Sequence, residues 1–434
     1  MSLLRRQLAD TRPLRQPDFR RLWVANIVTV IGAQLSIVAV PQQVFEITRS
    51  SAYVGLTGAF ALVPLVVFGL WGGALADAMD RRRLMLVTTW GLILTAVAFW
   101  LQAAAGNRNV WLVMGLLAVQ QAFFAVNKPT RSAIIPRLIP SGQLASATSL
   151  MMTVMQFGAI VGPVSAGVLI PVVGLETLYL IDAVFLLATL WAVLRLPPQP
   201  PVESQSGERR SAGLRSVIDG FAYLATRRIL LASFLVDLVA MVFGMPRALF
   251  PQVATETFGD PLSGGTALGL LFAAMSVGAV LGGVFSGWIP RVRRQGLAVL
   301  VCIALWGLSM VVFGLVVGVA SPGGSPWWLW LALFALAFGG AADMVSAAFR
   351  QAILLDAATD EMRGRLQGVF IVVVVGGPRI GDVAHGVAAA SVGTAVAAAG
   401  GGVLVVIGMV VAAVAFPAFL RYTVQRAVGP GTPD

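Results

Sequence analysis

The sequence predicts an all-α integral membrane protein with 12 transmembrane helices, and three observations lead to this fold class. Of the 434 residues, 58% are hydrophobic and only 11% are charged, well below the charged content of about a quarter that soluble proteins have. The apolar residues form long runs separated by charged or Pro- and Gly-rich segments. Lys and Arg are concentrated in alternate connections, which indicates membrane topology. The net charge of +11 therefore predicts no binding to nucleic acid.

Twelve apolar runs are long enough to cross a hydrocarbon core of about 30 Å at about 1.5 Å per residue. The predicted spans are 20–45, 53–78, 84–105, 110–135, 143–170, 174–195, 229–257, 264–289, 296–319, 327–352, 365–391 and 394–420. An even number of spans places both termini on one side of the membrane. Among the basic residues of the connections, only Arg49 and Arg108 fall on the other side, so both termini are predicted to be cytoplasmic.

The two halves of the chain repeat, which predicts two pseudo-symmetric six-helix bundles. At an offset of 219 positions Arg131 coincides with Arg350, and at an offset of 210 positions Arg81 coincides with Arg291. We predict an N-terminal bundle at 1–195, a cytoplasmic linker with an amphipathic helix at 196–228, a C-terminal bundle at 229–420 and a cytoplasmic tail at 421–434. For the amphipathic helix, an early start of span 7 is the alternative.

The connection between spans 2 and 3 carries a specific motif. Gly72–Arg83 reads GGALADAMDRRR, and it resembles the signature loop of the major facilitator superfamily, whose fold has two six-helix halves around a central cavity. The resemblance implies a cytoplasmic gate in which an Asp faces the start of span 11, a contact typically worth about 0.3–1 kcal/mol. The alternative is that the Arg residues of this loop only keep it on the cytoplasmic side of the membrane. The motif departs from the family at Ala78, where the family usually has Arg. The gate residues are Gly73, Asp77, Asp80, Arg81, Arg82 and Arg83.

Two further segments narrow the resemblance. Asn127–Pro140 and Asp360–Arg365 resemble the branch of 12-span exporters of drugs and siderophores that includes macrolide efflux proteins and enterobactin exporters. Small residues at every fourth position of span 5 allow close helix packing, and they resemble the Gly-Pro motif of drug antiporters, with ordinary packing as the alternative. These residues are Gly158, Gly162, Pro163 and Gly167.

Ionisable residues within spans are costly in a bilayer and are therefore candidate functional groups. Asp237 in span 7 and Asp343 in span 10 lie at matched depths, and both spans line the cavity in the fold that the chain resembles. We predict that this pair takes up and releases protons, with Asp382 in span 11 as the next candidate. A structural polar cap is the alternative for the pair, and neutralisation by Arg379 is the alternative for Asp382.

Polar and aromatic residues on the cavity spans suit an amphipathic ligand. The predicted substrate cavity consists of Gln34, Gln120, Gln121, Phe123, Phe124, Phe243 and Arg247.

No catalytic motif, phosphate loop or metal-ligand spacing is present, and the single Cys302 and single His385 lie in apolar runs. We therefore expect no enzymatic activity and no cofactor or metal, with a proton gradient as the energy source. The resemblance implies a monomeric secondary active transporter in the bacterial inner (plasma) membrane. It would export a small amphipathic molecule by proton antiport with alternating access, so its partners are that substrate, protons and the lipid bilayer. The alternatives are an uptake symporter or facilitator of a small solute, and a non-transporting receptor or scaffold on a transporter fold.

Overall fold

The computed structural model describes residues 10–200, 219, 222–357 and 360–423, without the side chains of residues 70, 73, 74, 76, 77, 360–365, 367, 368 and 370–372. Twelve long helices occupy this described part of the chain. They are α1 Pro17–Thr48, α2 Ser51–Ala78, α3 Arg81–Ala104, α4 Val110–Leu138, α5 Leu144–Val173, α6 Leu175–Leu194, α7 Arg228–Phe243, α8 Thr266–Val284, α9 Gln295–Val319, α10 Trp327–Ala357, α11 Asp360–Val392 and α12 Thr394–Ala415. Eleven helical segments of the described residues are long and apolar enough to cross a membrane. The remaining long helix is α11, which has 33 residues.

Local sequence signals explain several helix boundaries. Asp80 is the N-cap of α3, and its carboxylate accepts a hydrogen bond from the backbone N–H of Arg83. Asn109 caps α4 in the same way through the N–H of Trp111. Gly174 and Gly393 are each the only residue between two helices, and both have a positive φ, +80° and +85°, which glycine adopts without steric cost. These two tight connections join α5 to α6 and α11 to α12.

The seventh span, Arg228–Thr257, agrees with the predicted 229–257, but it is not one continuous helix. Helix α7 ends at Phe243, and a 3₁₀ turn at Pro246–Leu249, a short α-helical turn at Phe250–Gln252 and a π-helical turn at Val253–Thr257 follow it. Pro246 has no backbone N–H to donate, and it disfavours a helical conformation of the residue before it. The break at residues 244 and 245 follows.

The two six-helix groups pack in corresponding ways. Helix α6 lies against α1 and α3, and α12 lies against α7 and α9 in the same arrangement. Further corresponding pairs are α1–α5 and α7–α11, α2–α4 and α8–α10, and α3–α4 and α9–α10. The bundle boundaries at 1–195, 196–228, 229–420 and 421–434 stay a prediction. Most of the linker with its amphipathic helix, and residues 424–434 of the tail, lie outside the described residues.

Two seams join the α1–α6 half to the α7–α12 half, one between α2 and α11 and one between α5 and α8. Glycines bring the backbones together in both. A methyl group added at Gly55 would lie 3.0 Å from Cα of Gly386, and one added at Gly167 would lie 2.9 Å from Cα of Gly269. These contacts lie at the end of the bundle that carries the α1–α2 and α7–α8 connections, which we call the hairpin end. The other end, where α1 starts, is called the termini end.

Two hydrogen bonds also join the halves at the hairpin end. The side-chain amide of Gln42 donates to the carbonyl oxygen of Leu262 at 2.7 Å. The hydroxyl of Ser51 donates to Oε1 of Gln252 at 2.6 Å. Together with the glycine contacts, these bonds close the hairpin end in this conformation.

Candidate transport site

A buried charge cluster lies between α7 and α10. The guanidinium of Arg350 forms an ion pair with Asp237, and the two side chains are only 3% and 2% exposed. Nη2 of Arg350 also donates to Oδ1 of Asp343 at 3.4 Å, and the Asp343 side chain is 25% exposed. One guanidinium therefore faces two carboxylates, of which Asp343 is the one that solvent reaches.

The sequence prediction paired Asp237 directly with Asp343, whereas the structure places Arg350 between them. Arg350 falls within the predicted span 327–352, but the sequence prediction did not include it among the charged site residues. It lies within α10 and is buried. Its spacing from Asp343 is seven residues, two helical turns on one face, and this signal was available in the sequence. The role of Asp237 and Asp343 in proton coupling stays a prediction.

A second group of charges lies next to the α2–α11 seam. Nη1 of Arg379 lies 3.8 Å from Oδ2 of Asp382. Arg247, just after the break in α7, is exposed and is close enough to Asp382, Arg379 and Asp343 to interact electrostatically with them. A methyl group added at Gly58 of α2 would lie 3.0 Å from Cβ of Asp382. A change in the charge of Asp382 would therefore act where the two halves meet.

The α1–α6 half contains a counterpart of the Arg350 cluster, built from different partners. Nη1 of Arg131 on α4 donates to Oδ1 of Asn26 on α1, and Nη2 donates to Oδ1 of Asn127 at 3.4 Å. Amide groups thus stand where the other half has carboxylates. The sequence reading noticed that Arg131 repeats as Arg350, but it missed both asparagines. The spacing of four residues between Asn127 and Arg131, one turn of a helix, was the available signal.

The predicted cavity residues take different positions. Gln34 packs over Gly162 of α5, and Phe123 packs its ring over Gly91 of α3 within the α1–α6 half. Phe124 is 40% exposed. Gln120 and Gln121 are half-buried on α4, and Phe243 is the last residue of α7.

The Gly-Pro motif of α5 serves two different contacts. Gly158 faces Val30 and Gly162 faces Gln34, so this part of the motif brings α5 against α1. Gly167, one turn beyond Pro163, faces Gly269 across the α5–α8 seam. The motif therefore connects packing within one half to the contact between the halves.

The predicted gate residues fasten parts of one half together in this conformation. Arg82 donates to the carbonyl oxygens of Val193 and Leu194 at the end of α6, at 3.3 and 2.7 Å. Oδ2 of Asp80 accepts from the backbone N–H of Gln199 at 3.0 Å. Nη1 of Arg81 donates to the carbonyl oxygen of Ala133 at 3.1 Å, and Arg83 is exposed. The side chain of Asp77 and the surroundings of Gly73 lie outside the described residues, so the gate stays a prediction.

An apolar groove of about 600 Å³ opens between α5, α8 and α10. Its walls include Val164, Leu270 and the exposed rings of Trp327, Trp330 and Phe334. None of the predicted site residues lines it. The groove is therefore separate from the charged clusters.

Comparison with known proteins identifies the family. The family described as transmembrane secretion effector, a branch of the major facilitator superfamily, matches residues 9–425. The chain belongs to this family. Curated proteins similar to the chain include enterobactin exporters of Citrobacter koseri and Escherichia coli. Each is 29% identical over 405 residues, covering 91% of this chain and 90% of the relative.

Solved structures show the same fold. A bacterial homologue of the human lysosomal transporter Spinster, in an inward-facing and unoccupied conformation, matches with a TM-score of 0.72 at 14% identity, over 96% of this chain and 100% of that one. An inward-facing bacterial homologue of the iron transporter ferroportin matches with a TM-score of 0.69 at 13% identity, over 97% and 100%. The predicted fold class is thus confirmed. The chain is a transporter of the major facilitator type and not an enzyme.

Proposed function

We propose that the chain is a secondary active transporter that exports a small amphipathic molecule, of the drug or siderophore type, by proton antiport with alternating access. The observation that carries this proposal is the cluster of Asp237, Arg350 and Asp343, in which one cation faces two carboxylates. Two carboxylates that share one cation cannot both be fully compensated, which favours protonation of one of them. Asp343 is the proposed proton carrier because its side chain is partly exposed, whereas Asp237 is buried in its ion pair.

Alternating access rests on the way the two halves meet. The seams α2–α11 and α5–α8 close the hairpin end through glycine contacts. Opening this end and closing the termini end requires the halves to turn relative to each other about a site near the middle, as parallel six-helix repeats do. We propose that Arg81, Arg82, Arg83 and Asp80, with Asp77, close the termini end in that second state.

The direction of transport is supported by the relatives, which are named enterobactin exporters. The same charge cluster would also serve an uptake symporter, so direction is a separate part of the proposal. The arginine-rich connection at residues 81–83 supports a cytoplasmic termini end in the bacterial inner membrane. Because both halves come from one chain, a monomer is the proposed transporting unit, driven by a proton gradient without a cofactor.

The test is transport by the purified chain in liposomes with an imposed pH gradient, using radiolabelled enterobactin and a panel of amphipathic drugs. We expect the gradient to accelerate transport of at least one compound by the wild type. In Asp343→Asn, binding of that compound should persist while the acceleration by the gradient disappears. Asp356→Asn is the matched control, since Asp356 is exposed at the end of the same helix and bonds to Tyr422.

Two results would overturn the proposal. The first is a wild type that transports none of these compounds faster with the gradient than without it. The second is an Asp343→Asn variant that keeps the full acceleration, which would remove the proton from this cluster.

A further inference from the structure

We propose that Arg131 binds an anionic group of the transported molecule, a carboxylate or an ionised phenol. This inference rests on the proposed function in taking the chain to have a transported substrate, and it names the chemical class of that substrate. The two halves differ in the residues that surround their corresponding arginines.

Arg131 and Arg350 hold their partners in the same pattern. In each case Nη1 contacts a residue on the first helix of the half: Nη1 of Arg131 donates a hydrogen bond to Asn26 on α1, and Nη1 of Arg350 forms an ion pair with Asp237 on α7. In each case Nη2 bonds at 3.4 Å to a residue on its own helix, Asn127 on α4 or Asp343 on α10. The two sites thus share a partner on the first helix of the half. They differ in the spacing of the second partner, four residues before Arg131 and seven before Arg350, and in the charge of the partners.

The charge of Arg131 is therefore not balanced by its partners. An amide oxygen accepts a hydrogen bond but carries no net charge, whereas Asp237 neutralises Arg350. A guanidinium has five N–H donors arranged to hold a carboxylate through two of them. Among the described residues, Nε is buried without a hydrogen-bond partner in both Arg131 and Arg350, so the difference between the two sites lies in the charge of their partners. An incoming anion would supply the charge that Asp237 supplies in the other half.

Among the described side chains, α1, α4 and α5 offer Arg131 no acidic partner in place of an anion. Of the acidic residues on α1 and α4, Asp18 pairs with Arg21 at 3.0 Å near the start of α1, and Glu46 lies at the other end of that helix. Helix α5, which packs on α1, contains no acidic residue. On α4, Lys128 is exposed one turn before Arg131, and it adds a second positive charge. This side of the bundle therefore attracts anions.

Installing the missing carboxylate is the sharpest test. Asn26→Asp keeps the size of the side chain and gives Arg131 the partner that Arg350 has, so it should exclude an external anion. Arg131→Gln removes the cation itself. Asn109→Asp is the matched control because it adds the same charge at the far end of α4, where Asp caps a helix as well as Asn.

The probes are pairs of an aryl acid and its primary amide, 2-naphthoate with 2-naphthamide and benzoate with benzamide, titrated calorimetrically into the full chain in lipid nanodiscs. We expect the wild type and Asn109→Asp to bind an acid at least about tenfold more tightly than its amide, which corresponds to about 1.4 kcal/mol. Asn26→Asp and Arg131→Gln should lose this preference and keep the affinity for the amide. The midpoint temperature of thermal unfolding of Asn26→Asp should equal or exceed that of the wild type.

The proposal is overturned if the wild type binds no acid more tightly than its amide. It is also overturned if a folded Asn26→Asp protein keeps the preference for the acid. The measurement needs neither a gradient nor transport. A failure of proton-driven transport in liposomes with an intact acid preference would refute the proposed function and leave the anion site standing, and the converse result would refute the anion site alone.

Discussion

A single guanidinium, that of Arg350, holds two carboxylates that differ in their surroundings. Asp237 is buried and pairs closely with it, whereas Asp343 is 25% exposed and bonds to it at 3.4 Å. Breaking a buried pair leaves an uncompensated charge in a medium of low polarity, whereas removing a partly hydrated partner does not. The two aspartates are therefore expected to respond differently to the same substitution.

We predict that Asp237→Asn lowers the free energy of unfolding by about 3–5 kcal/mol because it leaves the Arg350 charge buried without its main partner. Asp343→Asn should lower it by less than about 1 kcal/mol, since Asp237 still neutralises Arg350. Denaturant unfolding of the purified variants in detergent measures both. In the control, the double variant with Arg350→Met and Asp237→Asn should recover much of the lost free energy of unfolding, because it leaves no unpaired charge from Arg350. Equal losses in the two single variants would contradict the assignment of Asp237 as the main partner.

The site was only partly predictable from the sequence. Asp237, Asp343 and Asp382 could be identified because a charge within an apolar run is rare and costly. The contacts of Arg350 with Asp237 and of Asn26 with Arg131 could not be predicted in the same way, since they join helices that are far apart in the chain; for Arg350 only the spacing from Asp343 was a local signal. The surroundings of Phe123 likewise depend on Gly91 of α3, which no local pattern indicates.

At the scale of elements, the helices themselves were largely predictable. Runs of apolar residues set their positions, and caps such as Asp80 and Asn109 set where two of them begin. The break in α7 does not show in the high average hydropathy of residues 229–257, but Pro246 and Pro251 indicate it because proline lacks the backbone N–H that a continuous helix needs. The repeated single-glycine connections at Gly174 and Gly393 were missed, because a positive φ follows from tertiary geometry.

We predict that Gly269→Ala opens the hairpin end, since the new methyl group would lie 2.8 Å from Cα of Gly167. Overpacking of this kind costs about 1–3 kcal/mol, and the cost falls only on the state in which the seam is closed. Spin labels at Ser50→Cys and Ser263→Cys, on a Cys302→Ser background, should report a longer distance by pulsed EPR.

Gly283→Ala on the same helix is the control for that experiment, because the nearest atom to its methyl group would be Cε of Met344 at 3.7 Å. It should leave the distance between the labels unchanged. If Gly269→Ala also leaves it unchanged, the α5–α8 seam does not hold the hairpin end closed.

At the scale of the whole molecule, the two groups of six helices pack in corresponding ways but carry different charged residues. The α7–α12 half has paired acids and bases around Arg350 and Arg379, whereas the α1–α6 half presents Arg131 to neutral amides. This division suits a transporter in which one half handles protons and the other binds the substrate, which is the arrangement that the two proposals together describe.

We predict that both ends of the chain face the cytoplasm. A cytoplasmic reporter fused after Asp434 or inserted at Ser206 should be active, and one inserted at Gly106, in the α3–α4 connection, should be inactive. The physical reason is the cost of moving the Arg-rich connections across the membrane. Activity of the reporter at Gly106 in cells would contradict the cytoplasmic location of the termini. It would mean that the proposed exporter has the opposite orientation in the membrane.

The glycine seams have a mechanical consequence. Packed helices usually interlock, with the side chains of one helix set in the grooves of the other. One helix can then slide along the other only if these side chains leave their grooves. Gly55 against Gly386 and Gly167 against Gly269 present smooth backbone to smooth backbone. Side chains of the two halves therefore do not interlock at these points, and we expect the hydrogen bonds that join the halves, such as the one from Gln42 to Leu262, to contribute more to the barrier to turning than the seams do.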